Sequence, residues 1–116
     1  MHIRNVVLRR LARIELETDR QTRLRLGHFV VIGGGFSGVE TAGQLIDCLK
    51  SIQRYYPRVD KEELKVTLLQ DLPRLLPELS DKLGHAAHKS LVARGVSVRI
   101  GTRASTVCEK GRAAFG

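Results

Sequence analysis

Glycines at a fixed spacing are the residues of this chain that are best suited to chemistry. The apolar run 29–32 leads directly into Gly33, Gly34 and Gly35, and Gly38 follows three residues later. Gly33, Gly35 and Gly38 fill a G-x-G-x-x-G pattern between a predicted strand and a predicted helix. In such a turn the first glycine permits the sharp bend, the second lets the backbone approach a diphosphate, and the third allows close helix packing. The spacing therefore predicts a dinucleotide-binding turn, with the free N–H groups of the helix facing the phosphates.

The residues expected to bind the cofactor cluster around this turn and at the end of the second predicted strand. They are Gly33, Gly34, Gly35, Phe36, Ser37, Gly38, Glu40, Gln70 and Asp71. Glu40 lies early in the predicted helix, where its side chain either faces the cofactor or simply favours the positive helix N-terminus. No residue is predicted to be catalytic, because no Ser/His/Asp or Cys/His pattern stands out and no side chain can accept a hydride.

The end of the second predicted strand bears on the choice between NADH and NADPH. Dinucleotide-binding units carry an acidic residue there, which bonds the adenosine ribose, whereas this chain has Gln70 followed by Asp71. The neutral amide of Gln70 would not repel a 2′-phosphate, and Arg74 is near enough in sequence to pair with one. Alternatively, Asp71 takes the ribose role and Arg74 is solvated. NADH is favoured, and NADPH stays open.

Strands that alternate with helices are predicted to position these residues. Periodicity predicts strands over 29–32, 65–70 and 96–100, and helices over about 3–16, 36–55 and 81–94. This order indicates an α/β fold with right-handed crossovers, a Rossmann-like three-layer unit with three main parallel strands, an extra N-terminal helix and a truncated domain. We assign residues 1–26 to a linker helix and 27–116 to a partial NAD(P)-binding domain.

Local signals predict the details of these elements. Ser80 is expected to cap the last helix and Gly95 to end it, while the prolines within 71–78 indicate an irregular loop. Gly43 is expected to permit close packing of its helix on a strand. A further strand is predicted over 102–107, with a turn at 110–111. The predicted buried faces are Ile3, Val7, Leu11 and Ile14; Val39, Ala42, Leu45, Ile46, Leu49 and Ile52; and Leu83, Ala86, Ala87, Leu91 and Val92.

Composition limits the function classes. With 116 residues, 42% hydrophobic and 28% charged, the chain is one globular domain at most. No apolar run is long enough to cross a bilayer, and a signal peptide is lacking, so we expect a cytoplasmic location.

Cys48 and Cys108 are expected to be reduced thiols, and His85 and His88 are expected to be surface residues rather than metal ligands. The net charge of +8 is concentrated near the N-terminus, but few aromatics and no motif argue against nucleic-acid binding.

The segment 29–45 resembles the NAD-binding segment of the type II NADH dehydrogenases, which are FAD-containing NADH:quinone oxidoreductases of the pyridine nucleotide-disulfide oxidoreductase group. Residues 66–77, residues 95–99 and the basic N-terminal helix are similar to that family too. The resemblance implies that Gly33, Gly34, Gly35 and Gly38 form the pyrophosphate turn. It also implies that Glu40 lies near the nicotinamide and the flavin. Gln70 departs from the glutamate usual at its position.

The resemblance further implies a parent enzyme that passes hydride from NADH to FAD and on to a quinone. Its FAD would be held by another domain and not by this segment, so the segment alone is expected to be inactive. The parent would lie peripherally on the inner face of a membrane. The alternatives are a non-catalytic module that binds a nucleotide or a partner, and the same segment of another member of the group.

Self-association is predicted by two routes. In a sheet of order 3-2-1, the strand 29–32 would be an apolar edge open to a second copy. The other route is exchange of the N-terminal helix between two copies.

Overall fold

Four α-helices and a parallel sheet form the part of the chain that the computed structural model describes, residues 2–102 and 113–115. The α-helices and strands are α1 (His2–Leu16), α2 (Arg20–Leu26), β1 (His28–Ile32), α3 (Phe36–Ile52), β2 (Lys65–Gln70), α4 (Asp81–Ala93), β3 (Ser97–Ile100) and β4 (Ala113–Phe115). Short 3₁₀ turns lie at Gln53–Tyr55 and Lys61–Glu63. The predicted α/β class and its three main strands are confirmed. The predicted turn at 110–111 and residues 103–107 of the predicted strand lie outside the described residues.

The sheet has the order β3-β2-β1-β4, and its neighbouring strands pair in parallel. Val31 of β1 lies opposite Leu68 of β2 on one side and Phe115 of β4 on the other. The prediction that strand 29–32 is an open edge is therefore wrong, because β4 pairs with Phe29–Val31. That edge cannot carry a dimer, and exchange of α1 stays a prediction.

One hydrophobic core lies between the sheet and the helices. Phe29 and Val31 of β1 belong to it together with their register partners Val66 and Leu68, so this face of the sheet is turned towards the helices. The buried neighbours Val30 and Leu69 alternate with them and point to the opposite face. The buried faces predicted for α1 and α3 are confirmed. Their fully buried residues include Val7, Leu11, Ile14, Ala42 and Leu45.

Helix α4 begins and ends as predicted but presents a different face. The Ser80 hydroxyl accepts the Leu83 N–H at 3.3 Å, and Gly95 ends the helix with a φ of +102°. Leu83 and Val92, however, are 55% and 53% exposed, and Ala86 is exposed as well. The reason is Gly84, where a Cβ would lie 2.5 Å from the Leu75 carbonyl oxygen. This close approach to the preceding loop turns the neighbouring side chains of α4 outwards.

Gly43 makes room for an arginine rather than for a strand. The Arg94 Nη2 donates to the Gly43 carbonyl at 3.0 Å and pairs with the Asp47 carboxylate at 2.7 Å. A Cβ on Gly43 would lie 3.1 Å from both terminal nitrogens of Arg94. The absence of a side chain at Gly43 therefore lets Arg94 lie across α3 and connect it to the end of α4.

A largely buried ion pair attaches the N-terminal helices to the rest of the fold. Arg23 of α2 pairs with Glu63 through both carboxylate oxygens, at 2.6 and 2.8 Å. The same guanidinium donates to the carbonyls of Ile14, Glu17 and Arg58, each at 2.6 Å. The hydrogen bonds from Arg23 lower the pKa of Glu63. Arg23 is thus a structural residue and not part of a solvated basic face.

Candidate nucleotide-binding site

The glycine turn joins β1 to α3 and depends on two glycines for its shape. Gly33 has a φ of +100°, which L side chains rarely adopt. Its N–H donates to the Leu69 carbonyl at 2.8 Å, so the turn begins while the chain is still bonded to β2. A Cβ on Gly38 would lie 1.8 Å from the Gly33 carbonyl oxygen. The first and third glycines of the motif therefore have the predicted bend and close-packing roles.

Gly35 and the first turn of α3 present open backbone to solvent. Around the position of a Cβ on Gly35 the nearest atom is the Glu78 Oε1, at 4.0 Å. No side chain caps α3, and the first helical hydrogen bond runs from the Val39 N–H to the Gly35 carbonyl at 3.0 Å. Within the described residues, the N–H groups of 36–38 have no acceptor. A helix N-terminus in this state is an anion-binding surface.

A pocket of about 200 Å³ lies at this turn. Thr41 contributes to the pocket and was not predicted from the sequence. Its position one helical turn after Ser37 was the available signal, because residues four apart share a helix face. The lining residues are Val31, Ile32, Gly33, Gly35, Ser37, Gly38 and Thr41.

Gly34 is enclosed rather than exposed at the turn. Its N–H donates to the Gln70 Oε1 at 3.2 Å, and its carbonyl accepts the Leu76 N–H at 2.8 Å. A Cβ on Gly34 would lie 2.7 Å from Leu75 and 2.9 Å from Gln70 side-chain atoms. Gly34 therefore fixes the turn against the loop after β2, and its N–H is not available to a phosphate.

The Gln70 side chain is bonded inside the protein on both sides. Gln70 is 4% exposed, and its Nε2 donates to the Arg74 carbonyl at 3.1 Å, while its Oε1 accepts from Gly34. We call this pair of hydrogen bonds the Gln70 bridge. Asp71, the next residue, is exposed beyond the end of β2. Of the two residues predicted at this strand end, Asp71 is the one whose side chain is open to solvent.

Arg74 organises the loop 71–80 from within. Its guanidinium donates to the carbonyls of Leu76, Pro77, Leu79 and Ser80 at 2.7–3.3 Å, and its Nε pairs with Asp81 at 3.1 Å. The two terminal nitrogens thereby make four hydrogen bonds, and Nε is held in the ion pair. Arg74 is neither a solvated side chain nor a free partner for a 2′-phosphate.

Glu40 and Phe36 line a second, open groove beside the glycine pocket. The groove lies between α3 and α4, has a volume of about 460 Å³, and reaches Arg94 at its far end. Glu40 is exposed, and Phe36 is 66% exposed at the N-terminus of α3. The structure thus separates the predicted residues into a glycine pocket, an adjacent α3–α4 groove and the end of β2.

The described part of the chain lacks a metal cluster and a membrane-spanning helix. No cluster of three or more His, Cys, Asp or Glu side chains suited to a metal ion occurs there. None of the described helices is long and apolar enough to span a membrane.

The parallel sheet with a glycine turn at the carboxyl end of β1 defines a Rossmann-like α/β unit. The sequence profile of the pyridine nucleotide-disulphide oxidoreductases matches residues 6–114. The chain therefore belongs to the pyridine nucleotide-disulphide oxidoreductase family.

Several relatives are NADH:quinone oxidoreductases by name. The chain is 33% identical over 108 residues to the external alternative NADH-ubiquinone oxidoreductase, mitochondrial, of Yarrowia lipolytica, covering 92% of this chain and 18% of that protein. It is 30% identical over 112 residues to the type II NADH:quinone oxidoreductase Ndh of Mycobacterium tuberculosis, covering 96% of this chain and 24% of that protein. In fold it is similar to NDH2 of Plasmodium falciparum in complex with NADH, with a TM-score of 0.76 and 18% identity. That match covers 82% of this chain and 20% of the Plasmodium chain. The chain thus spans about a fifth of the length of these relatives.

Proposed function

We propose that this chain is the NADH-binding segment of a flavin-dependent oxidoreductase that delivers electrons from NADH through FAD to a quinone. The observation that carries the proposal is the glycine turn, with an open Gly35 and three N–H groups lacking acceptors in the described part of the chain. The names of the relatives support the reaction class. The peripheral membrane location expected for the parent belongs to the same proposal.

The diphosphate of NADH fits the N-terminus of α3. The N–H groups of 36–38 would donate to its oxygens, and the missing side chain of Gly35 leaves room for its close approach. Ser37 and Thr41, which both carry hydroxyl groups, line the same pocket. Gly33, Gly34 and Gly38 would shape the turn rather than contact the phosphates.

The two ends of the nucleotide would then lie on opposite sides of the turn. The adenosine ribose would reach the end of β2, where the Asp71 carboxylate is the exposed acceptor. The nicotinamide half would run towards the α3–α4 groove beside Phe36 and Glu40. NADH is preferred over NADPH, because Asp71 repels a 2′-phosphate and the donors of Arg74 are engaged within the loop.

Hydride transfer requires a second group that this segment is not proposed to hold. In the parent, FAD bound by another domain would supply the acceptor for the nicotinamide hydride and would pass the electrons to the quinone. The side chains described here can bind and orient a nicotinamide nucleotide, but they cannot accept its hydride. The segment alone is therefore proposed to bind NADH without oxidising it.

Calorimetric titration of the 116-residue chain with NADH, NADPH and FAD tests this assignment. We expect NADH to bind, NADPH to bind more weakly, and FAD not to bind. Binding of FAD without either nicotinamide nucleotide would overturn the assignment, because the glycine turn would then serve the flavin.

A further inference from the structure

Gln70 occupies the strand end where dinucleotide-binding units carry an acidic ribose ligand, yet its amide has two partners inside the protein. Its oxygen accepts the Gly34 N–H and its nitrogen donates to the Arg74 carbonyl. With 4% of its surface exposed, the side chain has little access to a nucleotide. A role other than ribose binding is therefore required.

We propose that Gln70 is a positioning residue: the Gln70 bridge fixes the Gly34 peptide and thereby holds the phosphate-facing N–H groups of 36–38 in place. The positioning of a nucleotide site rests on the function proposed above. Gln70 acts through Gly34 and does not touch the nucleotide. Cofactor preference then belongs to the exposed Asp71 and not to Gln70.

The surroundings of Gly34 show why its position matters. The Gln70 bridge bonds its N–H, and the Leu76 N–H bonds its carbonyl. Leu76 itself adopts a φ of +51°, which is uncommon for a non-glycine residue and needs support from its surroundings. The glycine turn and the loop 71–80 are thus bonded to each other through one peptide, and loss of either bond would weaken this attachment.

An amide is the side chain that this bridge requires. It accepts and donates at once, whereas an ionised carboxylate only accepts. A carboxylate at position 70 would keep the bond from Gly34 but would set a negative oxygen against the Arg74 carbonyl. A protonated carboxyl group would again supply both an acceptor and a donor. The bridge therefore predicts a defect in Gln70→Glu that is reversed by acid.

Charged groups around the bridge do not obscure this effect. Asp71 follows the end of β2, Arg74 and Glu78 lie on the loop, and Asp81 opens α4. All of them are present in both the parent chain and the variant. Gln70→Leu carries the same groups without the new carboxyl group, so its pH profile isolates the titration of position 70.

The test compares Gln70→Glu, Gln70→Leu and the exposed control Gln21→Glu with the parent chain between pH 8 and pH 5. At pH 8, we expect Gln70→Glu to lower the unfolding midpoint by about 5 °C. We also expect the substitution to weaken the binding of NADH and of NADPH by the same factor of about ten. The Gly34 amide should exchange with deuterium faster in Gln70→Leu, which lacks the oxygen that accepts its N–H.

The pH series then separates the bridge from simple packing. Burial raises the pKa of the introduced carboxyl group, so this group should become protonated as the pH falls towards 5. The losses of thermal stability and of nucleotide affinity in Gln70→Glu should therefore shrink towards pH 5. The losses in Gln70→Leu should persist at every pH, and Gln21→Glu should match the parent in both stability and affinity.

A pH-independent deficit in Gln70→Glu, or parent-like stability with an altered NADH/NADPH ratio, would overturn the proposal. If the chain bound neither nucleotide, the proposed function would fail, while unfolding and amide exchange would still decide whether the bridge forms.

Discussion

Two adjacent glycines have opposite surroundings and should respond differently to the same change. A Cβ on Gly34 would meet Leu75 at 2.7 Å and Gln70 at 2.9 Å, whereas around Gly35 the nearest atom is 4.0 Å away. We expect Gly34→Ala to reduce the free energy of unfolding by about 2 kcal/mol through overpacking. Gly35→Ala, at a φ of −75°, should change it by less than about 1 kcal/mol. Urea unfolding of both variants measures the difference, and equal losses would contradict the distinction.

Asp71 carries the expected preference for NADH. Replacing it with asparagine removes the repulsion of a 2′-phosphate, so the ratio of NADPH to NADH affinity should rise by about tenfold. Asp71→Glu retains the charge and should leave the ratio close to that of the parent. Titration of both variants with both nucleotides checks this, and an unchanged ratio in Asp71→Asn would exclude Asp71 as the discriminating residue.

At the residue scale, the sequence predicted positions better than orientations. The G-x-G-x-x-G spacing indicated the bend at Gly33 and the close approach at Gly38, because both follow from local backbone geometry. The enclosure of Gly34 depends on residues about 40 positions later, which no local pattern encodes. The same is true of Gln70, whose strand position was predicted but whose buried hydrogen bonds were not.

At the element scale, the loop 71–80 is folded around one arginine. The planar Arg74 guanidinium reaches four carbonyls and one carboxylate, which an ammonium group with three donors cannot match. We expect Arg74→Lys to cost about 2 kcal/mol of unfolding free energy and to make the loop more sensitive to proteolysis. The ratio of NADPH to NADH affinity should stay the same. A specific loss of NADPH binding would instead identify Arg74 as a phosphate ligand.

Helix boundaries were predictable where capping residues encode them, and helix orientation was not. Ser80 and Gly95 correctly marked the ends of α4, because capping is a local property. The apolar pattern, however, suggested that Leu83 and Val92 are buried, although both are exposed. The deciding residue is Gly84, which contributes no hydrophobic signal but fits closely against the Leu75 carbonyl.

At the scale of the whole molecule, the Arg23–Glu63 pair connects the N-terminal helices to the sheet unit. The hydrogen bonds from Arg23 lower the pKa of Glu63 in the folded chain from the ordinary glutamate value of 4.5. The contribution of Glu63 to stability is therefore present above pH 4.5 and is lost as pH falls through the folded pKa. We expect Glu63→Gln to reduce the unfolding free energy at pH 7 by about 3 kcal/mol. Its stability should also fall less steeply below pH 4.5 than that of the parent.

Denaturant unfolding across pH 3–7 provides the measurement. Glu62→Gln is the matched control, because Glu62 is the exposed neighbour of Glu63 and its loss should change little. Identical pH profiles for Glu63→Gln and the parent would show that the ion pair does not link folding to pH.

The global fold was largely predictable because alternating apolar strands and amphipathic helices specify a parallel sheet. The exception was the fourth strand: β4 pairs with β1 and closes the edge that the sequence had left open. Its three residues, Ala113–Phe115, are too few for periodicity to identify.

The glycine turn is proposed to receive the diphosphate of NADH. Comparison of NADH binding by the parent chain and by Gly35→Ala tests this role most directly. A methyl group at Gly35 meets no protein atom closer than 4.0 Å but occupies the space proposed for the phosphates. We predict calorimetric binding of NADH to the parent chain, and a loss of at least about tenfold in Gly35→Ala with little change in stability. Equal affinity in the two proteins, or no binding by a folded parent chain, would contradict the account.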